Sequence, residues 1–319
     1  MKRIDTATRA IDLFGPGKDG FKDGDLANGV APTDFNAAWV NNVQEELASV
    51  VEAAGLVLDG ATRNQALQAL TQLFSPVVGT VRNLRASVPA VSASATFTAD
   101  ELIVSTAIGG RPRRLAAFNK TINLATVGAG GMDTGAAPAS GYVAIYAIYN
   151  PTTGASNLLA TNATAAVAPE VYGGANMPAG YTASALISVW PTNASSQFTI
   201  GFQQDREVLL ASVVSNNYSA ALTNTAITLA VPKNAKTALL AVTQTTATAA
   251  SSYALGLSSS SPTNGGTATL TQTLGSANLS SLTTNGRVIL LTPQTIYGTW
   301  TVLGGSSPTL SLAISSYTI

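Results

Sequence analysis

Hydrophobic spacing divides the chain near Ser75-Pro76. Before that point the period is helical. In the run from Pro32 to Gly55, Phe35, Trp39, Val43, Leu47, Val50, Val51 and Ala54 recur at steps of three and four, so one stripe of a helix is apolar. Thr33 or Asp34 can cap its first turn, and Gly55 stops it. A second helix is predicted from Thr62 to Phe74, with Ala66, Leu67, Leu70 and Phe74 on one side and Ser75-Pro76 as the terminator. The pair reads as a helical hairpin.

After Pro76 the period becomes two. Short runs rich in Val, Ile, Thr and Tyr alternate with Gly, Pro, Asn and Ser, which predicts strands at 142–150, 182–191, 196–202, 226–232, 237–244, 286–293, 298–303 and 309–315. Tyr253, Leu255 and Leu257 also alternate as a strand would, ahead of a serine-rich loop to 266. The charged stretch 203–208 marks a boundary between two β modules. The expected fold is mainly β with a small α-helical N-terminal region. An extended arm and helical hairpin occupy 1–76, and β-sandwich-like modules occupy 77–207 and 208–319.

Composition narrows the chemistry. Of 319 residues only 10% are charged, and there is no His and no Cys. That removes disulfides, cysteine nucleophiles, Ser-His triads and zinc sites built on imidazole or thiolate. No apolar run approaches the ~20 residues that span a bilayer, and no apolar stretch follows the basic start, so neither membrane insertion nor a cleaved signal is expected. Net charge is zero but uneven. Residues 1–76 carry six basic and ten acidic side chains, and beyond Glu207 only Lys233, Lys236 and Arg287 are charged. Arg111, Arg113 and Arg114 form the one basic cluster. Beside two glycines it reads as a solvated turn, so nucleic acid is not an expected partner.

The stretch from Phe14 to Asp25 holds Gly15, Gly17, Gly20 and Gly24 among five charges. As a phosphate loop it fails because Asp19 follows Gly17-Lys18 where Ser or Thr is needed. As a calcium loop starting at Asp23 it fails at Ala27 and Asn28, and Asp34 stands where the bidentate Glu belongs. No metal or cofactor is expected. What remains is a glycine-rich segment with two aromatic anchors, Phe14 and Phe21, unstructured until a neighbouring chain covers it.

Two carboxylate pairs, Asp100-Glu101 and Asp205-Glu207, are the only candidates for acid-base work, and both read as solvated edges. An enzyme, such as a polysaccharide depolymerase, is therefore not expected. For an external ligand the aromatic candidates are Tyr253, Tyr297 and Trp300, with Tyr317 also in the last module. Trp300 shares its face with Ile296 and Val302, which favours the core. Tyr297 shares its own with Thr299 and Thr301, which favours the surface.

The segment from Met1 to Gly55 resembles the N-terminal segment of tail-fibre-type proteins of tailed phages and prophages. Residues 140–193 resemble a module that recurs in such proteins. The resemblance implies a homotrimeric virion component at the tail tip or baseplate, made in the host cytoplasm. Its N-terminal part docks on phage tail or baseplate proteins, and its distal modules meet a bacterial cell-surface glycan or protein receptor. Carried onto this sequence, Phe14, Gly17, Phe21, Asp25 and Asn28 fall in the docking segment, and Phe35 and Trp39 in the helix beside it. With no coiled-coil heptads or shaft in the distal part, a baseplate, tripod or adaptor subunit that positions another receptor-binding protein is the alternative.

Overall fold

A computed structural model describes residues 2–74, 76–261, 270–273 and 279–319. The chain forms two compact units, Met1–Ser75 and Pro76–Ile319.

The first unit contains a 3₁₀ turn (Leu26–Asn28) and helices α1 (Ala37–Ala53) and α2 (Gln65–Leu73). The helix pair is present as the spacing predicts, but its caps differ. Asn36, rather than Thr33 or Asp34, caps α1, accepting from the Trp39 amide at 2.8 Å. Thr33 turns inward instead, and its Oγ1 accepts from the Lys22 amide at 2.9 Å. Gly55 follows α1 with a left-handed φ of 71°, which glycine adopts without Cβ strain. α2 starts at Gln65 because Thr62 is drawn into a turn by Asp59, to which its hydroxyl donates at 2.7 Å. Among the described residues, Val51, Ala54 and Ala69 form the core between the helices, with Val50 and Leu56 packed against them.

Among the described residues the named strands of the second unit pair antiparallel apart from β5 with β7, and Val127 bridges Met132 in parallel. Its strands are β1 (Val81–Arg82), β2 (Arg85–Val88), β3 (Ser94–Ser105), β4 (Pro112–Asn123), β5 (Gly131–Met132), β6 (Tyr142–Tyr149), β7 (Ser156–Asn162) and β8 (Ala183–Pro191). They continue as β9 (Gly201–Gln204), β10 (Glu207–Tyr218), β11 (Leu222–Thr228), β12 (Thr237–Ser258), β13 (Leu270–Thr273), β14 (Leu279–Ile289), β15 (Thr295–Ser306) and β16 (Thr309–Thr318). Hydrogen-bonded neighbours run β11-β15-β12-β16-β10-β9-β2-β3-β8-β6-β7-β5. β1 and β4 flank β3, and β13 and β14 flank β12.

Burial explains the sequence pattern. β6 reads as a continuous apolar run because both its faces are covered. Val143, Ile145 and Ala147 enter the main core, while Ala144, Tyr146 and Ile148 meet Ala163, Ala168 and Tyr172 from the segment that follows β7. β12, at 22 residues, extends well past its predicted end at 244. Its first half pairs with β14 and β16 and its second half with β13 and β15, with register shifts between residues 245 and 252. Leu240, Val242, Leu310 and Leu312 share one core with Leu255, Leu257, Ile296 and Trp300, so the two halves close over a common interior.

The stretch 203–208 is a tight hairpin between β9 and β10, not a linker. Glu207 pairs with Gln204, and Asp205 sits at the turn with φ 50°. The Asp205 amide donates to the Leu84 carbonyl at 2.8 Å, and its Oδ1 accepts from the Leu84 amide at 3.1 Å. Residues on either side of 207 are further joined: the Tyr317 hydroxyl donates to the Val189 carbonyl at 2.6 Å, and Asn234 exchanges hydrogen bonds with Ala168. The basic cluster also differs from expectation. Arg113 and Arg114 lie in β4, and Arg114 faces Glu101 across the β3–β4 ladder at 3.4 Å.

Candidate functional site

The N-terminal segment is ordered by its own hydrogen bonds, contrary to the expectation that it needs a neighbour to take shape. Ala10 and Gly20 pair antiparallel and close a loop. Inside it the Asp12 carboxylate accepts from the Gly17 amide at 2.6 Å, and the Phe14 amide donates to the Lys18 carbonyl at 3.0 Å. Asp19 accepts from the Asp12 amide and from Arg9. These two bonds, the amide first, hold its carboxyl below the usual carboxylate range. Gly17 has φ 70°, so a glycine belongs there for conformation. Gly20 is needed for space, since a Cβ would lie 2.5 Å from Leu13 and 2.8 Å from Phe14.

A second loop follows. Asp25 and Val30 pair, and Asp25 caps the 3₁₀ turn, accepting from both the side chain and the backbone amide of Asn28. Those two bonds lower the Asp25 pKa, so the cap is fully ionised at neutral pH. Asp25 and Asn28 thus have a structural task within their own loop.

Phe21 has partners in its own chain, which corrects the expectation that a neighbouring protein must bury it. Its ring lies 5.2 Å from Phe35 and 4.9 Å from Trp39, and Phe35 and Trp39 are 5.9 Å apart. Tilted and edge-on contacts at these distances suit the ring quadrupoles. The triad ties the first loop to the start of α1 and leaves Phe21 half-buried and Phe35 exposed.

Many apolar groups of this unit face water. Of twenty-seven exposed large hydrophobic side chains among the described residues, fourteen lie before Ser75. Ile11, Leu13 and Phe14 crown the first loop, Phe14 at 69% exposure, and Leu26 at the tip of the second is fully solvated. Leu67 and Leu70 on α2 and Phe74 just after it are exposed, while Ala69 packs with Val51 and Ala54. A cleft of about 500 Å³ opens beside the first loop, lined by Ile4, Phe14, Phe21 and Trp39 and by the charged Lys2, Arg3 and Asp19. Periodicity pointed to Phe35 and Trp39, and aromatic bulk among glycines and charges pointed to Phe14. Ile11, Leu13 and Leu26 carry no spacing signal, because their exposure follows from loop geometry alone.

In the β unit, Tyr253 and Trp300 are buried, so neither presents a ring to an external ligand. The Tyr253 hydroxyl pairs with Thr246 at 3.0 Å, and the Trp300 indole donates to Gln244 at 2.7 Å, which joins the two halves of the sheet at the bend in β12. Tyr317 is buried as well. Tyr297 alone of these is partly exposed. Both carboxylate pairs are engaged locally. Asp100 accepts from Asn83 at 2.5 Å, and Glu207 accepts from Ser316 and Arg287, both at 2.7 Å. Asp100 and Glu101 are successive strand residues on opposite faces and cannot converge on one substrate. No group of three or more carboxylates among the described residues could hold a metal ion. No helix of the described residues is long and apolar enough to cross a membrane.

No protein-family model matches the chain. Among curated proteins it is similar to "Uncharacterized protein StfP" of Escherichia coli (strain K12), at 45% identity over 74 residues, or 23% of this chain. The matched part is 35% of that protein, so the chain spans about a third of the relative's length. This partial kinship is compatible with the tail-fibre resemblance and assigns no activity of its own.

Proposed function

We propose that the protein is a tail-fibre-type virion component of a tailed phage or prophage, attached to tail or baseplate proteins by its N-terminal unit. The observation that carries this reading is a small unit with a core of a few side chains that holds Ile11, Leu13, Phe14 and Leu26 in water on hydrogen-bonded loops. Exposed apolar groups concentrated in this way mark an interaction surface. A fold this thinly packed gains its stability when that surface is covered. The resemblance of Met1 to Gly55 supplies the class of partner.

In this reading the protein works as a homotrimer at the tail tip or baseplate. The β unit, poor in charge, faces the bacterium and adsorbs to a surface glycan or protein through many weak contacts made multivalent by the trimer. It acts by binding, without a cofactor, nucleic acid or membrane insertion, and the local engagement of its carboxylates supports a non-enzymatic role. A second reading, an adaptor that positions another receptor-binding protein, draws support from the burial of Tyr253 and Trp300, which leaves Tyr297 as the partly exposed one of those three rings.

The test is particle incorporation. Leu13→Ala with Phe14→Ala removes two side chains that are half or more exposed. The chain is expected to fold normally and to be missing from purified particles. Incorporation at the unmodified level overturns the attachment role.

A further inference from the structure

A polar cleft of about 410 Å³ lies in the second unit where β2, β3 and β4 run side by side. Asn83, Arg85, Thr98, Asp100 and Asn119 line it, over Ala99, Ala117 and Phe118. Register explains why these side chains converge. Arg85 pairs with Thr98 and Thr98 pairs with Asn119, so the three stand in one row on one face of the sheet. Ala99 and Phe118 are buried beneath them, which leaves a polar opening.

Two features set this row apart. Polar groups elsewhere on the sheet satisfy one another. Thr96 and Thr121, two positions along the same ladder, hydrogen-bond at 2.7 Å, and Glu207 accepts from Ser316 and Arg287. The side chains of Arg85, Thr98 and Asn119 make no hydrogen bond or ion pair with any described residue, and Asp100 accepts from Asn83 through one oxygen only. The backbone is also held unusually. Ala117, between the partners of Ala99 and Glu101, has φ 47° with no polar side chain to favour it, and Asn83 has φ 53°. Left-handed residues of this kind persist where the surrounding fold imposes them, and they gather at ligand clamps.

The lining holds one cation, Arg85, and one anion, Asp100, so the cleft has no net charge with which to select an ion. It offers donors from the guanidinium and the amides, and acceptors from the carboxylate, the amides and Thr98. That mixture suits a ligand whose groups each donate and accept, as hydroxyls do. We propose that this cleft binds a neutral sugar residue. Asp100 and the Asn119 carbonyl accept from its hydroxyls, and Arg85 donates to its oxygens. This rests on the adsorptive part of the reading above, and it names the ligand class and the place. Net hydrogen bonds made in water are worth little each, so one open cleft binds at millimolar ligand and several copies supply the avidity.

Purified full-length chain is tested by saturation-transfer difference NMR with glucose, galactose, mannose and N-acetylglucosamine as neutral probes. Glucuronate and glucosamine are the charged arms. At least one neutral sugar should give a larger signal than both charged ones. Arg85→Ala and Asn119→Ala should each lower that signal at least about fivefold, the loss of one or two net hydrogen bonds. Thr121→Ala, outside the cleft on the same strand, should leave it unchanged. Thermal melting followed by circular dichroism identifies the folded variants, and if Arg85→Ala is unfolded Asn119→Ala decides. No signal from any neutral sugar, an equal signal from glucuronate, or a signal that survives the cleft substitutions overturns the inference. Sugar binding is read on purified chain and attachment on particles, so either can fail while the other stands.

Discussion

Phe21 shows how a residue can be read correctly as an anchor and assigned the wrong partner. Its side chain is large, its surroundings in sequence are glycine and charge, and nothing nearby has helical or strand spacing. Folding brings it to Phe35 and Trp39, fourteen and eighteen positions away, through the turn at Asp25. Each such aromatic pair contributes roughly 0.5–1.5 kcal/mol beyond area burial. Phe21→Ala is therefore expected to cost the N-terminal unit about 1–3 kcal/mol and to shift Trp39 emission to longer wavelength as its ring is hydrated. Urea denaturation followed by tryptophan fluorescence checks both. An unchanged midpoint and spectrum would mean that the triad does not stabilise the unit. Trp300 carries the opposite lesson. Its face-mates Ile296 and Val302 indicated a core position, and its indole proton has a buried acceptor in Gln244.

At the scale of elements, the hairpin between β9 and β10 depends on Asp205 twice. The residue takes a left-handed φ that few side chains tolerate, and its carboxylate accepts from the Leu84 amide, which anchors the turn beside β2. Asp205→Ala keeps the strained φ and leaves that amide without its acceptor, at a cost of about 1–3 kcal/mol. Asp205→Asn retains an acceptor and tolerates the conformation, so it should cost less than half as much. Chemical denaturation of the two variants checks the order, and equal losses would exclude the hydrogen bond as the cause. The turn was hidden because charge within a β sequence looks like a boundary, and the partner of Asp205 lies 121 residues earlier. The strands around it were missed for a related reason. β3 puts polar residues at its exposed positions, and β10 leaves Leu209, Val213 and Val214 exposed while its second partner, β16, lies about a hundred residues on, so neither strand shows a clean alternation.

For the whole molecule, the β unit unfolds as one body if its stitches hold. Tyr142 and Tyr317 mark where early and late strands meet, with Tyr317 on β16 bound to Val189 on β8. Burial pushes the Tyr142 hydroxyl from 10.0 up to about 12. Burial, and then the neighbouring Tyr142, raises Tyr317 well above its usual value. In the unfolded chain both ionise near the ordinary value of 10. The contribution of Tyr142 is thus fully present below pH 10 and is lost as pH rises through about 12, while that of Tyr317 persists to higher pH. The melting temperature of residues 76–319 should fall steeply over that interval in a single transition, and Tyr142→Phe should move the fall to higher pH. Two transitions, one for each side of residue 207, would show that the halves are energetically separate.

The sequence by itself determined the division at Ser75-Pro76, the two helices, the positions of the strongest strands and the exclusion of thiol and imidazole chemistry. These follow from local period and from residue types that are present or absent, and both are written along the chain. Only the tertiary structure decided that Phe21 packs within its own chain, that Tyr253 faces inward, and that residues 203–208 turn a hairpin. It also decided that Leu26 stands alone in water. Each of those depends on which distant segments pack together, and exposure is a property of that packing rather than of any spacing a single segment can show.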